Sequence, residues 1–205
     1  MFVSVPMSSE DEQEAKRIRA RRDRLYRSWF VIPEKDTRWV GDIGEIGFNR
    51  WACSVMGPAR VTWKIEDVTG GKPDFIVAKR TLDVKTVACS SAPQIEYTAQ
   101  VMAKDRYLHE KVSYFFFARY EIKVSLLWLL GGIARTEFLE KARYFSAGEK
   151  VHAYYTVQPG REIYNIEIAR LTPPAELLNG WVFEDDNEQC YRDSLLDYPA
   201  QEPEP

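Results

Sequence analysis

Cysteine and histidine are scarce in this chain, three and two in 205 residues. Cys53, Cys89 and Cys190 lie far apart and form no CxxC pair, which argues against a structural zinc site and against a secreted disulfide framework. With only His109 and His152, no HExxH motif exists and chemistry that needs a histidine cluster has no basis. No apolar run approaches the roughly 20 residues that cross a bilayer. The longest, 124–134, is interrupted by Ser125 and by small residues. Residues 1–7 are too short for a signal h-region and lack a charged n-region. Repeats and low-complexity tracts are missing. The net charge of −3 excludes a uniformly basic nucleic-acid coat, though not a local basic patch. The expectation is a soluble protein of a reducing compartment, without a membrane partner.

What is present is material for a core. Hydrophobic residues make up 45% of the chain and aromatics 13%, enough to exclude a mostly disordered polymer and to suggest one principal domain. Charge is distributed unevenly. From Glu184 onward eight acids face the single Arg192, a net of −7, so the rest of the chain carries +4. Three parts follow: a basic N-terminal helical arm over 1–37, a main domain over 38–183, and an acidic tail over 184–205, expected to be disordered from about residue 196.

The arm reads as a helix over 9–30. Seven cations fall within the twelve positions 16–27, and Arg17, Arg21 and Arg24 are candidates for phosphate contact, against the plainer reading of a solvated face packed on the domain edge. A second helix spans 41–56, where Ile43, Ile46, Trp51 and Val55 recur at near-helical spacing. Gly41, Gly44 and Gly47 repeat every third residue. Each costs a helix about 1 kcal/mol against Ala, so the helix backbone is expected to approach a neighbour closely. Strands are predicted over 59–66, 75–77 and 80–87, a helix over 97–110, and buried strands over 112–119 and 122–134. A short helix capped by Thr136, a strand pair around Gly160 and a last helix starting at Pro173 and Pro174 complete the pattern.

The chemistry concentrates between Gly70 and Thr86. Asp74 and Asp83 stand nine residues apart, and Lys85 follows two after the second. On a strand Asp83 and Lys85 share one face, while Leu82, Val84 and Thr86 take the other. Charges on an apolar strand are costly unless they pair or bind a metal. Asp74, at the start of the preceding strand, reaches the same spot across a turn at 78–80. Two carboxylates at one place repel, and a hard dication such as Mg2+ relieves that repulsion while leaving ligand positions for substrate phosphate. A lysine beside it can orient the nucleophile or support the charged transition state. Each residue also has a plainer reading. Asp74 could cap a turn after Pro73, and Asp83 with Lys85 could be a solvent-facing pair.

The string Pro73-Asp74 followed by Asp83-Val84-Lys85 resembles the motif of the PD-(D/E)XK nuclease superfamily, which includes restriction endonucleases, Holliday junction resolvases and phage or recombination exonucleases. Gly44-Glu45-Ile46-Gly47 resembles the first-helix element whose glutamate, in many members, reaches the metal site. The likeness covers roughly residues 38–120. It implies an α/β fold with a mixed central β-sheet flanked by helices, in the order α-β-β-β-α-β, with extra C-terminal strands and helices. It further implies Mg2+ (Mn2+ as a substitute) held by Glu45, Asp74, Asp83 and the Val84 carbonyl, with Lys85 supporting attack by water. The implied activity is hydrolysis of DNA phosphodiester bonds in the cytoplasm of a bacterial or phage-infected cell, recognising DNA structure or ends. Junction resolution would require a homodimer. Lys72, Gln100 and Lys104 are weaker nucleic-acid contacts. The alternative is a DNA-binding or assembly protein that keeps the fold without cutting. Ser90, Ser91 and Cys89 lack the base and orienter of a nucleophile.

Overall fold

The computed structural model describes residues 1–26, 36–65, 73–103, 111–152 and 155–183. Its centre is a mixed six-stranded sheet in the order β1-β7-β6-β4-β3-β2. These strands are β1 (Val3–Pro6), β2 (Val61–Trp63), β3 (Phe75–Val77), β4 (Arg80–Cys89), β6 (Tyr114–Glu121) and β7 (Leu126–Ala134). β4 and β6 run parallel and every other neighbour pair runs antiparallel. A second sheet, β5-β11-β8, is antiparallel and comprises Thr98–Met102, Ile163–Glu167 and Arg143–Phe145. A small pair joins β9 (Lys150–His152) to β10 (Tyr155–Thr156).

Four helices accompany the sheets among the described residues. α1 (Ser9–Tyr26) opens on a reciprocal capping box: Asp11 N–H donates to Ser8 Oγ at 3.1 Å, and Ser8 N–H donates to Asp11 Oδ2 at 2.8 Å. α2 (Trp39–Met56) lies along the main sheet and buries Ile43, Phe48, Trp51 and Ala52 against Phe75, Val84 and Phe116. α3 (Arg135–Lys141) sets Phe138 among Phe115, Phe117 and Ile166 on the opposite sheet face. α4, residues 174–183, places Trp181 edge-on against Tyr114, with ring centroids 4.8 Å apart. The main sheet is therefore covered on both faces, which is why β6 and β7 read as near-continuous apolar runs.

The glycine spacing on α2 has two causes. A Cβ on Gly44 would lie 1.8 Å from Thr86 Oγ1 on β4, and one on Gly47 would lie 2.3 Å from Leu127 Cδ2 on β7; a Cβ on Gly41 would meet nothing. Gly44 and Gly47 thus let α2 seat directly on the strands. β3 and β4 form a tight hairpin through Ala78 and Lys79, both at positive φ (44° and 62°). Neither residue is the glycine or asparagine that such a turn favours, so its conformation is imposed by the sheet.

Several local expectations change. The helix predicted over 97–110 is not formed at its start: Thr98–Met102 is β5, paired with β11, and residues 104–110 lie outside the described residues. The pattern there has period two, with Ala99 and Val101 buried and Thr98 and Gln100 exposed. In the described residues the α-β-β-β-α-β order therefore has a strand where its second helix was expected. The strand over 59–66 shrinks to Val61–Trp63 after a 3-10 turn at Pro58–Arg60. α3 begins at Arg135 with Ala134 at its N-cap and no side-chain cap, so Thr136 does not cap it. The strands flanking Gly160 pair elsewhere, β10 with β9 and β11 with β5 and β8. The N-terminal segment read as a basic arm contributes β1, an edge strand paired with β7, and α1, which packs on α2. The acidic tail lies outside the described residues. No described helix is long and apolar enough to cross a membrane.

Candidate functional site

The site lies where β3 begins and β4 runs on past it. β3 pairs with β4 only over Arg80 to Leu82, whereas β4 continues to Cys89 with β6 on its other side. From Asp83 onward, no described strand pairs with β4 on the β3 side. Asp83 and Lys85 stand beside Phe115 and Phe117 in the parallel register, on the face opposite α2. Lys85 Nζ forms an ion pair with Asp83 Oδ2. Asp74, immediately before β3, accepts the Val84 N–H on Oδ2 at 2.8 Å and hydrogen-bonds to Asp83. The expected triad of Asp74, Asp83 and Lys85 is thus brought together by one hairpin, and Asp83 is only 6% exposed.

Two carboxyls in contact cannot both ionise cheaply. Burial, reinforced by repulsion from Glu45 and Asp83, pushes Asp74 well above the usual carboxylate range. Burial acts the same way on Asp83, but the Lys85 ammonium and the hydrogen bond from Asp74 outweigh it and hold Asp83 low. Of the two, Asp74 is the carboxyl that takes up a proton more readily.

Glu45 projects from α2 beside this pair and is nearly buried. Both of its oxygens are occupied. Arg22 of α1 donates Nη1 to Oε1 at 2.6 Å and Nη2 to Oε2 at 2.8 Å, and the Trp63 indole N–H donates to Oε2 at 3.0 Å. Arg22 also donates Nη1 to Asp42 Oδ1 at 2.6 Å, and Arg19 donates Nε to Asp42 Oδ2 at 2.8 Å. Asp42 is fully buried, and that burial raises its pKa to about 6 despite the two guanidinium groups. Burial works against the Arg22 charge, but hydrogen bonding to Glu45 and the fields of Glu45, Asp42 and Asp74 raise its pKa overall.

Sequence reasoning missed Arg19, Arg22 and Asp42. The signal was available, since cations at 19 and 22 on one helix match acids at 42 and 45 on the next, both three residues apart. It was obscured by the surrounding surface cations. Arg17 is exposed and pairs with Glu14, and Arg21 and Arg24 are exposed on α1. Gln100 is exposed on β5. Lys72 and Lys104 lie outside the described residues.

The donor set has the right chemistry for a hard cation, being carboxylate oxygens with a lysine alongside. Glu45 is committed to Arg22 and Trp63, however, and among the described residues no group of three or more Asp, Glu, His or Cys side chains is assembled to hold a metal ion. In this conformation Asp74 and Asp83 form a two-carboxylate site flanked by a guanidinium, not a three-carboxylate one.

No protein-family model matches the chain, and no curated protein or solved structure matches it.

Proposed function

We propose that the chain is a metal-dependent nuclease that hydrolyses DNA phosphodiester bonds, built on a variant of the PD-(D/E)XK core in which α2, β2, β3, β4 and β6 are retained. The observation that carries this reading is the contact of half-buried Asp74 with buried Asp83, which pairs with Lys85 at the open edge of β4. A buried carboxyl pair costs stability, and an adjacent lysine offsets only part of that cost. Such an arrangement suits a site whose missing positive charge comes from a ligand.

Asp74 and Asp83 would hold Mg2+ or Mn2+, which binds readily to one or two carboxylates plus substrate phosphate. When bound, the dication supplies positive charge against the phosphoryl oxygens as negative charge builds on them. Lys85 donates a hydrogen bond from its place beside Asp83, either to the attacking water or to a phosphoryl oxygen. Arg22 and Trp63 fix the Glu45 carboxylate, making Glu45 a positioning residue for Arg22 in this conformation. Backbone phosphates would meet the exposed face of α1 that carries Arg17, Arg21 and Arg24, a contact that weakens as salt rises.

The test is cleavage of supercoiled plasmid, linear duplex, single strand and four-way junction with Mg2+, Mn2+ or EDTA, with Asp83→Ala and Lys85→Ala run in parallel. Metal-dependent cleavage by the wild type, lost in both variants, supports the proposal. Absence of cleavage together with no Mg2+ binding by calorimetry overturns it. A second reading, a non-cutting DNA-binding module, draws support from the Arg22–Glu45 pairing, because a guanidinium already neutralises the third carboxylate. It predicts DNA binding without hydrolysis in every metal.

A further inference from the structure

β4 and β5 border an open cleft of about 910 Å3, and Lys85, the ion-pair partner of Asp83, is on its wall. A second open cavity, of about 470 Å3, continues the cleft along β4 to Cys89, Ser90 and Ser91. Arg119 of β6 and Tyr97 border both. From Lys85 to Cys89 the strand rises about 13 Å. The two spaces together make a groove that leads away from the carboxylate pair and stays open to solvent.

Arg119 is the unusual group in this groove. The parallel register sets Lys85 beside Phe117, and Arg119 follows two residues later on the same sheet face. Strand spacing and rise place the Cα atoms of Lys85 and Arg119 about 8 Å apart. Arg119 is half-buried. Burial holds its guanidinium below the usual arginine range, and only Cys89 and Tyr97 act the other way. The other inward-turned arginines are neutralised, Arg22 by Asp42 and Glu45, Arg38 by Asp23 and Asp36. Among the described residues no carboxylate forms an ion pair with Arg119. Glu96, on the cleft wall, is exposed. A half-buried charge without a counter-charge is costly. The guanidinium is nevertheless held in place: Nη2 donates to the Thr98 carbonyl at 3.0 Å, and the group lies 5.0 Å from the Tyr97 ring centre. Those contacts orient the charge without neutralising it. A tie between β5 and β6 needs only a neutral donor, so the cation calls for an anion in the groove.

Resting on the nuclease reading of the neighbouring carboxylates, we propose that Arg119 holds a backbone phosphate of the substrate strand beside the one to be cut, so that the groove between β4 and β5 carries that strand away from Asp74 and Asp83. The separation of Lys85 and Arg119 is on the scale of neighbouring phosphates along one strand. A guanidinium offers N–H donors in the fork geometry that phosphate oxygens accept. Ser90 and Ser91 bring hydroxyl donors further along the same groove. A contact of this kind fixes the register of the strand over the cutting site and reads no base.

The experiment is fluorescence anisotropy of a labelled single strand in Ca2+ over a range of salt, with wild-type protein, Arg119→Gln and Arg119→Lys, each checked for its unfolding temperature. Arg119→Gln is expected to bind about tenfold more weakly at low salt, whatever the base sequence. The slope of log affinity against log salt should become shallower by about 0.7, the share of one phosphate contact on a single strand. Arg119→Lys should keep the wild-type slope. An unchanged slope in Arg119→Gln, with or without weaker binding, marks a purely structural role and overturns the proposal. If Arg119→Gln does not fold, strands with one neutral methylphosphonate linkage, moved position by position, decide between wild type and Arg119→Lys. One linkage should weaken wild-type binding, and less so the lysine variant, which keeps the charge without the fork; equal cost in both overturns the proposal. Inorganic phosphate that displaces the strand from wild type but not from Arg119→Gln, at constant ionic strength, supports the contact. Binding of inorganic phosphate without binding of any strand overturns the assignment to a strand. An Arg119-dependent slope without Mg2+-dependent cutting leaves the phosphate contact standing and removes the nuclease reading. Cutting by wild type with an unchanged slope in Arg119→Gln does the reverse.

Discussion

Replacing Arg22 with methionine removes a charge while keeping much of the side-chain volume. Arg22 makes three close contacts, one to Asp42 and two to Glu45, within a nearly buried helix-helix seam. Truncating one partner of a buried ion pair costs about 3–5 kcal/mol, because the other charge is stranded. Arg19 remains on Asp42 and Trp63 on Glu45, which places Arg22→Met at the lower end, about 3 kcal/mol at pH 8. For a chain of this size that is a fall in Tm of about 6–12 °C.

The pH dependence tests the cause. The Asp42 pKa rises from an ordinary 3.8 to about 6 on folding, a difference of about 3 kcal/mol. Between those values the native state binds more protons than the unfolded chain. The contribution of Asp42 to stability therefore falls as pH rises from 3.8 to about 6 and is level above that. Without Arg22 the Asp42 pKa moves higher still. The variant should lose further stability between pH 6 and pH 8, where Asp42 in the wild type is level, and the penalty should be smaller at pH 5. Urea unfolding followed by tryptophan fluorescence at pH 5, 6.5 and 8 measures this. A loss below about 1 kcal/mol, or an equal loss at all three pH values, would refute the buried-network account.

Gly44→Ala drives a methyl group into Thr86 and should cost about 1–3 kcal/mol, while the double variant with Thr86→Ala recovers part of the loss; thermal unfolding of the three proteins decides. Tyr120→Phe removes the hydroxyl that donates to Glu12 Oε1 at 2.6 Å and ties α1 to the sheet, with an expected cost of about 1–3 kcal/mol in urea unfolding. Asp83→Asn should lower any metal-dependent cleavage about 10^3-fold or more while DNA affinity changes little, measured as single-turnover rate and anisotropy side by side.

Much of the site was legible because its chemistry is local. Asp74, Asp83 and Lys85 fall on one hairpin, where strand alternation and a two-residue turn dictate their meeting. The glycines of α2 likewise announced a close approach, although not its partners, Thr86 and Leu127, which come from strands 42 and 80 residues further along the chain. The segment 98–102 misled because its alternation is short and follows a proline that suggests a helix start. Its identity as a strand depends on β11, some 60 residues downstream, to supply the ladder hydrogen bonds. Val3–Pro6 was passed over for the same reason, since four residues become a strand only once β7 exists to pair with them.

The sequence by itself determined the kind of molecule this is: an α/β chain with a large apolar core, too little cysteine and histidine for their usual sites, and two acids and a lysine at strand spacing. Tertiary structure alone decided the charge state and surroundings of those acids. It turned Arg22 inward onto Glu45, raised Asp74 above the usual carboxylate range, and brought β5 up beside Lys85. Residue type and spacing set which side chains a strand presents. Burial and through-space fields depend on every segment that packs nearby, and no local stretch of sequence contains them.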